Sequence, residues 1–542
     1  MKKSRILVLC LLITSMVLAG CGGNSNAPAT TAAGAGNVTT PASENTGGNT
    51  TSQNAPTENT SVKDTLVFGL SSEPISLDPL KTTDQMSWDN WISLYDTLFW
   101  YNKDTGGVEN RLAESFSWDS TNTELTVKVK EGVLFHNGQE MKAEDVAYSI
   151  DRIARGTYTA MYAVNFDHVE VVDEYSIKIY YTNPFEGALK TLAVLGFSIV
   201  PKDVVEKDVD AFALNPIGTG PYKFVSRTTG VQIVYEANEN YWRGKPAIKN
   251  LIYRIFTDVN TAVVALEAGE VDLLTHAPLT SKNEISNNPN VVWDEDRFYG
   301  PTFVCFQQEP GQMFSDINLR KAVQYGLRTD DILLGAADGI GMTIKGMSLP
   351  GMVGYDENYE GVPYDLEKAK EYMRAAGYAE GDGPTITIAT IDTVVYYKSV
   401  DIIASQLMEL GFKVTVERVE RSAYFANVFD KSEFTLVNTG WGVMLPDADF
   451  VFGLSHSSQI GVGYNFSRIN DPKVDDLIIR GRNEPDTVKR GEIYKELQQY
   501  YNDQAIFVPI MMYGAGVAYN KDLKGVKPDI LYRFEIFDYH FE

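Results

Sequence analysis

The chain is poor in cysteine and histidine, and it has too few basic residues to balance its acids. Only Cys10, Cys21 and Cys305 stand among 542 residues, and no two form a Cys-x-x-Cys pair. Cys10 and Cys21 lie at the extreme N-terminus, so no intramolecular disulfide framework is expected and a large core has to hold the fold. Cys305 sits in the run Phe303-Val304-Cys305-Phe306 and reads as a small buried hydrophobe rather than a nucleophile. The histidines His136, His168, His276, His456 and His540 fall at no metal-ligand spacing, so neither a metal site nor a cofactor is expected. Lys and Arg total 47 against 72 acidic residues, a formal net charge of −25. That balance argues against nucleic acid as a partner, because phosphate binding needs a basic surface. It also argues against a body lying flat on an anionic membrane. There is no Gly-x-Ser-x-Gly and no Walker loop, so no catalytic residues are expected. Long apolar runs are missing too: Ile6–Ala19 falls short of the ~20 residues that span a bilayer.

That short run is nevertheless informative. Lys2, Lys3 and Arg5 precede it and small residues end it, the pattern of a removable secretory signal. Leu18-Ala19-Gly20-Cys21 resembles the lipobox of bacterial lipoproteins. The resemblance implies removal of residues 1–20 and a diacylglyceryl thioether on Cys21; the other reading is an ordinary signal with a chance cysteine. Residues 22–61 are mostly Thr, Asn, Gly, Ala, Ser and Pro, with almost nothing to bury. Residues 21–61 therefore read as an acylated cysteine and a disordered tether, with a reach of roughly 35 Å.

Folding patterns begin at Thr65-Leu66-Val67-Phe68-Gly69, a strand signal, followed by a turn at Ser76-Leu77-Asp78-Pro79. From Trp88 to Tyr101, the residues Trp91, Leu94, Tyr95, Leu98 and Phe99 recur at helical spacing and are expected in the core. Leu125, Val127 and Val129 alternate with polar residues, as do Ile177, Ile179 and Tyr181, giving half-buried strands. Asn137-Gly138 marks a tight turn, and a helix is predicted from Ala143 with Gly156 as its stop. Apolar stripes predict helices over 260–269, 316–327, 365–376 and 399–410. Asp316 and Asp365 suit N-caps, and Gly269, Gly377 and Gly411 suit C-terminal stops. Helix-then-strand repetition, as at Gly411 into Phe412, Val414 and Val416, indicates α/β lobes.

Several stretches carry a resemblance in the same order along the chain. They are "RLAESF" with "GVLFHNGQEMKAEDVAYSIDRI", Gly218-Thr219-Gly220-Pro221-Tyr222, Tyr241-Trp242, "ALEAGEVDLL", "MFSDINLRKAVQYGL", "YDLEKAKEYMRAAGY" and "GW…PDADF" from Gly440 to Phe450. Together they resemble the family 5 extracellular solute-binding proteins, the receptors of peptide and nickel ABC importers. The resemblance covers nearly all of residues 65–540. It implies an α/β fold of the type II periplasmic-binding-protein kind, with two main lobes, an inserted third subdomain and a hinge. Lobe Ia would comprise 62–110, 215–300 and 512–542, lobe Ib 111–214, and lobe II 301–511. The hinge is expected near Gly300-Pro301 and between Pro509 and Gly516.

The resemblance further implies capture of an extended oligopeptide or dipeptide between the lobes and delivery to permease subunits with their ATPases. The receptor is expected to be a monomer, held to the membrane only by the lipid on Cys21. Two segments would meet the ligand: Thr83, Asp84 and Gln85 after the "LDP" turn, and Gly440, Trp441 and Gly442 around the Gly-Trp pair. Glycine lets a backbone approach closely and tryptophan offers a broad wall. Peptide-binding relatives usually carry an aspartate three residues after that tryptophan, holding the ligand's α-ammonium. Here Met444 stands in its place, while Asp447 matches a second acidic position. That departure keeps open a receptor of the same fold for another solute, such as an oligosaccharide, an opine-like compound or a metal chelate. A hydrolase or a sensing protein is a third reading. Tyr158 and Tyr162 are further cleft candidates. Arg418 and Arg421 could meet a carboxylate but suit a solvated strand edge better. The location is expected to be extracytoplasmic and lipid-anchored, with the long tether favouring a Gram-positive surface over a periplasm.

Overall fold

The computed structural model describes residues 63–542, except 83, 103–104, 157–158, 295–297, 421–422, 425–433, 441, 443–444, 462–464, 528–530 and 532, and except the side chains of Met161, Phe298 and Tyr299. The expectations for the signal, for Cys21 and for the tether therefore lie outside the described residues. Among the described residues no helix is long and apolar enough to cross a membrane.

Three sheets organise the chain. The first has seven strands in the order Val291–Asp294, Gly516–Asn520, Leu273–Ala277, Thr65–Leu70, Asn250–Ile255, Gln232–Ala237 and Tyr222–Thr228. Thr65–Leu70 lies at its centre, parallel to both neighbours, and its Leu66 and Phe68 are completely buried. A strand covered on both faces reads as a continuous apolar run, which is what the sequence TLVFGL supplies. The second sheet has six strands in the order Gly341–Thr343, Phe507–Gly514, Phe298–Phe306, Leu436–Gly440, Thr385–Ile391 and Lys413–Val419. Its parallel pairs flank the helix Val394–Glu409, whose Val400, Ile403 and Leu407 are buried against it. The third sheet is antiparallel: Ala113–Trp118, Glu124–Val129, Ser176–Tyr181 and Phe166–Asp173. The helix Ala143–Ala154 packs on it through Val146, Ile150 and Ile153.

The chain passes between the first two sheets twice. Val291–Asp294 belongs to the first and Phe298–Phe306 to the second; Phe507–Gly514 returns and Gly516–Asn520 re-enters the first. Phe298 pairs with Gly514, so the chain enters and leaves the second sheet at neighbouring positions. Gly516 has no room for a side chain: a Cβ there would stand 2.3 Å from the Trp293 ring and 2.7 Å from the Ala277 carbonyl.

The aromatic stretch departs from its helical periodicity. The helix Gln85–Leu94 (α1) stops at Tyr95, which is extended, and Phe99–Tyr101 is a strand paired with Val108–Asn110. The cause is tertiary. The Gly220 amide donates to the Leu94 carbonyl at 2.9 Å, and a Cβ on Gly218 or Gly220 would collide with Leu94 backbone at 2.1–2.4 Å. The Gly-Thr-Gly-Pro segment thus ends α1 by taking its last carbonyl. Trp91, Leu94, Tyr95, Leu98 and Phe99 are all in the core as expected.

Candidate functional site

The recognisable motifs meet around scaffold groups rather than at a ligand. Asp96, just past α1, accepts hydrogen bonds from Tyr241 Oη at 2.9 Å, Trp242 Nε1 at 3.0 Å and Thr219 Oγ1 at 3.1 Å. His136 Nδ1 accepts from the Gly218 amide at 3.2 Å, and its Nε2 lies 3.0 Å from the Gly220 carbonyl. These contacts tie three separate stretches of chain to the end of α1.

The first expected ligand segment forms the start of α1. Asp84 is its N-cap, accepting from the Ser87 amide at 3.1 Å and from Thr82 Oγ1 at 3.1 Å. Gln85 is half-buried and donates to Asp89 Oδ1 at 2.9 Å, one turn further in. Thr83 lies outside the described residues. The second segment begins where Leu436–Gly440 leaves the six-stranded sheet. Gly440 pairs with Thr302, and a Cβ there would stand 2.4 Å from the Pro301 carbonyl and 2.6 Å from the Tyr396 hydroxyl. Gly442 is exposed with nothing close to its Cα, while Trp441 and Met444 lie outside the described residues. The two segments therefore stand on the frameworks of different sheets.

Asp447 is the best-determined member of the second segment. It caps the helix Ala448–Gly453, accepting from the Asp449 amide at 2.9 Å. Its two oxygens also take both ends of the Arg490 guanidinium, at 2.6 and 2.9 Å. Arg490 is fully buried and reaches Glu186 at 2.7 Å and the Gly481 carbonyl at 2.9 Å. Lys190 Nζ stands 3.7 Å from Asp447 Oδ2. Burial opposes ionisation of Asp447, but Arg490 and Lys190 outweigh it and hold the carboxyl well below the usual carboxylate range. Asp449 is bonded through both oxygens to Arg482 Nε, at 3.0 and 3.1 Å; burial pushes its carboxyl up despite that partner. Both acids near the Gly-Trp pair are thus already paired with buried or half-buried guanidinium groups.

The network joins elements that are far apart in sequence. Glu186 and Lys190 belong to the stretch carrying the four-stranded sheet; Asp447 and Arg490 belong to the stretch carrying the six-stranded one. Asn165 donates to Asn483 at 3.0 Å across the same junction, and Tyr162 stacks on Phe450 with centroids 5.9 Å apart. A cavity of about 190 Å³ lies there, lined by Tyr162, Phe185, Thr191, Leu445, Phe450 and Arg482 among others. Tyr162, a candidate from the sequence, lies at this junction; Tyr158 and Arg421 lie outside the described residues. Arg418 is exposed on an edge strand, where it pairs with Asp401 at 2.7 Å and lies over the Tyr397 ring. Sequence reasoning missed Arg490, Glu186, Lys190 and Arg482. Arg482 and Arg490 sit in charge-rich helical sequence, Glu186 and Lys190 in a mostly apolar stretch, and nothing local marks any of them.

Among the described residues no cluster of three His, Cys, Asp or Glu side chains could hold a metal ion. Cys305 is buried, and burial raises its thiol above the ordinary range, which suits a packing role.

Comparison with known proteins agrees with this architecture. The profile of the bacterial extracellular solute-binding proteins, family 5 (middle), matches residues 107–461. The glutathione-binding protein GsiB of Pectobacterium atrosepticum is 26% identical over 484 residues, covering 86% of this chain and 93% of its own. Heme-binding protein A of Haemophilus influenzae is 25% identical over 480 residues, covering 83% and 87%. The periplasmic binding protein DppA of Helicobacter pylori, solved with the peptide STSA, superposes with a TM-score of 0.78 at 24% identity, over 89% of this chain and 98% of that one.

Proposed function

This chain belongs to family 5 of the bacterial extracellular solute-binding proteins, and from that premise we propose that it is the receptor of an ABC importer for peptides or peptide-like solutes. The family is one of binding proteins, not enzymes, and the fold is that of the type II periplasmic binding proteins. The observation that carries the finer reading is the junction between the stretches bearing the four- and six-stranded sheets. It holds a cavity, aromatic walls and a closed ion-pair network, supplied by both sides. A receptor that closes on its solute needs contacts that exist only when its lobes meet. The passages near Gly300-Pro301 and between Pro509 and Gly516 serve as the hinge of lobes bounded at about 110, 215, 300 and 512. Gly440 and the exposed Gly442 offer backbone to an extended ligand, as does the start of α1. GsiB and DppA, whose names or ligands are peptidic, support the solute class. Cys21 carries the lipid that tethers the receptor outside the cytoplasm, and the solute passes from the closed form to a permease.

A second reading has its own support. Asp447 and Asp449 are both committed to arginine partners, so neither is open to a ligand ammonium. A solute without a free amine, such as an opine-like compound, an oligosaccharide or a metal chelate, meets no loss there.

Thermal shift on the full chain separates the two. One arm uses a pool of free-amine peptides of two to six residues, the other the same pool N-acetylated. A ligand at ~100 Kd adds about 2.7 kcal/mol, a shift of a few degrees for a protein of this size. Stabilisation by either pool is the expected result. No shift in either arm would overturn the peptide class in favour of the second reading.

A further inference from the structure

The buried carboxylates of this protein form a set with one exception. Among the described residues Asp78, Asp89, Asp96, Asp145, Asp272, Asp447 and Asp449 are buried. Both oxygens of Asp78 meet Arg152. Those of Asp96 meet Tyr241, Thr219 and Trp242, and those of Asp145 meet the amides of Lys142 and Lys202. Asp272 has Lys63 and the Val67 amide, Asp447 has Arg490, and Asp449 has Arg482. Asp89 differs. It is 2% exposed, its Oδ1 accepts from Gln85 alone, and its Oδ2 has no hydrogen-bond partner. Buried polar atoms without partners are rare because each carries its full desolvation cost.

Its position on α1 gives the exception a meaning. The sheet side of the helix is accounted for: Asn90 Oδ1 accepts from Tyr235 at 2.7 Å, and Ser93 meets Tyr253 at 3.0 Å. Gln85, Trp88, Asp89 and Ile92 follow at i, i+3, i+4 and i+7, the spacing of another face. On that face Trp88 Nε1 is a second buried polar atom without a partner. One face thus holds an unused acceptor and an unused donor, next to the helix start already assigned to the ligand. We propose that this face of α1 is a wall of the solute site, with Asp89 Oδ2 taking a cationic nitrogen of the solute and Trp88 Nε1 donating to an acceptor oxygen. An ammonium beside a carbonyl, as at the start of a peptide, has that combination. The assignment rests on the receptor reading above.

The charges around Asp89 fit. Among the described residues the titratable groups acting near it are Asp84, at the start of the same helix, and the Tyr253 hydroxyl from the strand Asn250–Ile255; neither is a cation. Burial, the principal cause, raises the Asp89 carboxyl to about 8, against the lowering effect of Gln85. At pH 7 the group is mostly protonated. An arriving ammonium ionises it, and the proton leaves to solvent.

The test is thermal shift at pH 7 on the full chain and on Asp89→Asn, with three probes. These are the free-amine peptide pool, its N-acetylated counterpart, and a mixture of agmatine, putrescine and spermidine. The substitution should weaken the response to whichever cationic probe stabilises the parent, raising the half-maximal concentration at least tenfold, and leave the N-acetylated response unchanged. Without ligand Asp89→Asn should melt no lower than the parent, because the amide replaces a carboxyl that is already neutral. Equal cationic responses in parent and variant would overturn the assignment, as would a parent that responds to no cationic probe. A variant that fails to fold would do the same, since Asp89 would then be a structural charge. Should neither peptide pool act while the amines act through Asp89, the peptide class fails and the Asp89 assignment stands.

Discussion

The start of α1 and the segment from Gly440 to Asp449 present the same chemistry in sequence: aspartates and tryptophans beside a turn. In the folded protein they are opposites. Around Asp447 every buried charge has a partner, with Arg490, Lys190, Arg482 and Glu186 closing the set. Around Asp89, among the described residues, there is one hydrogen bond from the Gln85 amide and no cation acting on it. The lesson is that a buried carboxylate's availability is set by what other parts of the chain bring to it. A paired acid holds the structure together, and an unpaired one waits for a ligand or a proton.

The largest test of that contrast is Arg490→Met. It leaves Asp447 buried without its partner, and breaking a buried pair in this way costs about 3–5 kcal/mol. Urea unfolding should show the loss, and adding Asp447→Leu should recover part of it. A loss under 1 kcal/mol would mean the network is not a structural tie. The same pair sets a pH limit. The Asp447 carboxyl lies below its unfolded value, so its contribution is present above about pH 4 and disappears as pH falls through the folded value.

Asp89 has the opposite sign. Its carboxyl is raised from about 3.9 in the unfolded chain to about 8 in the fold. Its contribution is therefore complete below pH 4 and is lost as pH rises through 8. Asp89→Asn removes that titration, so its melting temperature should gain on the parent's between pH 5 and pH 8. Parallel melting curves across that range would remove the contrast between the two aspartates.

The smallest effect is expected at the junction cavity. Thr191 is buried and its hydroxyl has no hydrogen-bond partner among the described residues. Thr191→Val should be neutral or stabilise by up to about 1 kcal/mol in denaturant melts, since an unmade hydrogen bond is removed with its desolvation cost. A destabilisation above 1 kcal/mol would mean that the hydroxyl has a partner in solution.

Much of the scaffold was legible because its signals are local. The helices Val259–Glu267, Ile317–Gly326 and Leu366–Ala375 appear where the apolar stripes placed them. Asp316 and Asp365 cap the latter two, and Gly269, Gly377 and Gly411 adopt the left-handed backbone expected of stops. Val394–Glu409 begins earlier than its stripe: its first turn has an exposed Val394 and only half-buried Val395 and Tyr396, which leave a weak periodic mark. The end of α1 was illegible for a different reason. The aromatics through Phe99 keep a buried pattern, while the break at Tyr95 comes from a glycine-rich segment far along the chain.

Periodicity, composition and ordered motifs depend on neighbours along the chain, so most of the α/β elements, their caps, the excess of acid and the family could be read from the residues alone. Which acids are available, that Arg490 neutralises Asp447 and that no cation among the described residues acts on Asp89 all depend on the tertiary structure. Coulomb attraction and desolvation act through distance in space, and Arg490 lies 43 residues from Asp447 and 304 from Glu186 along the chain.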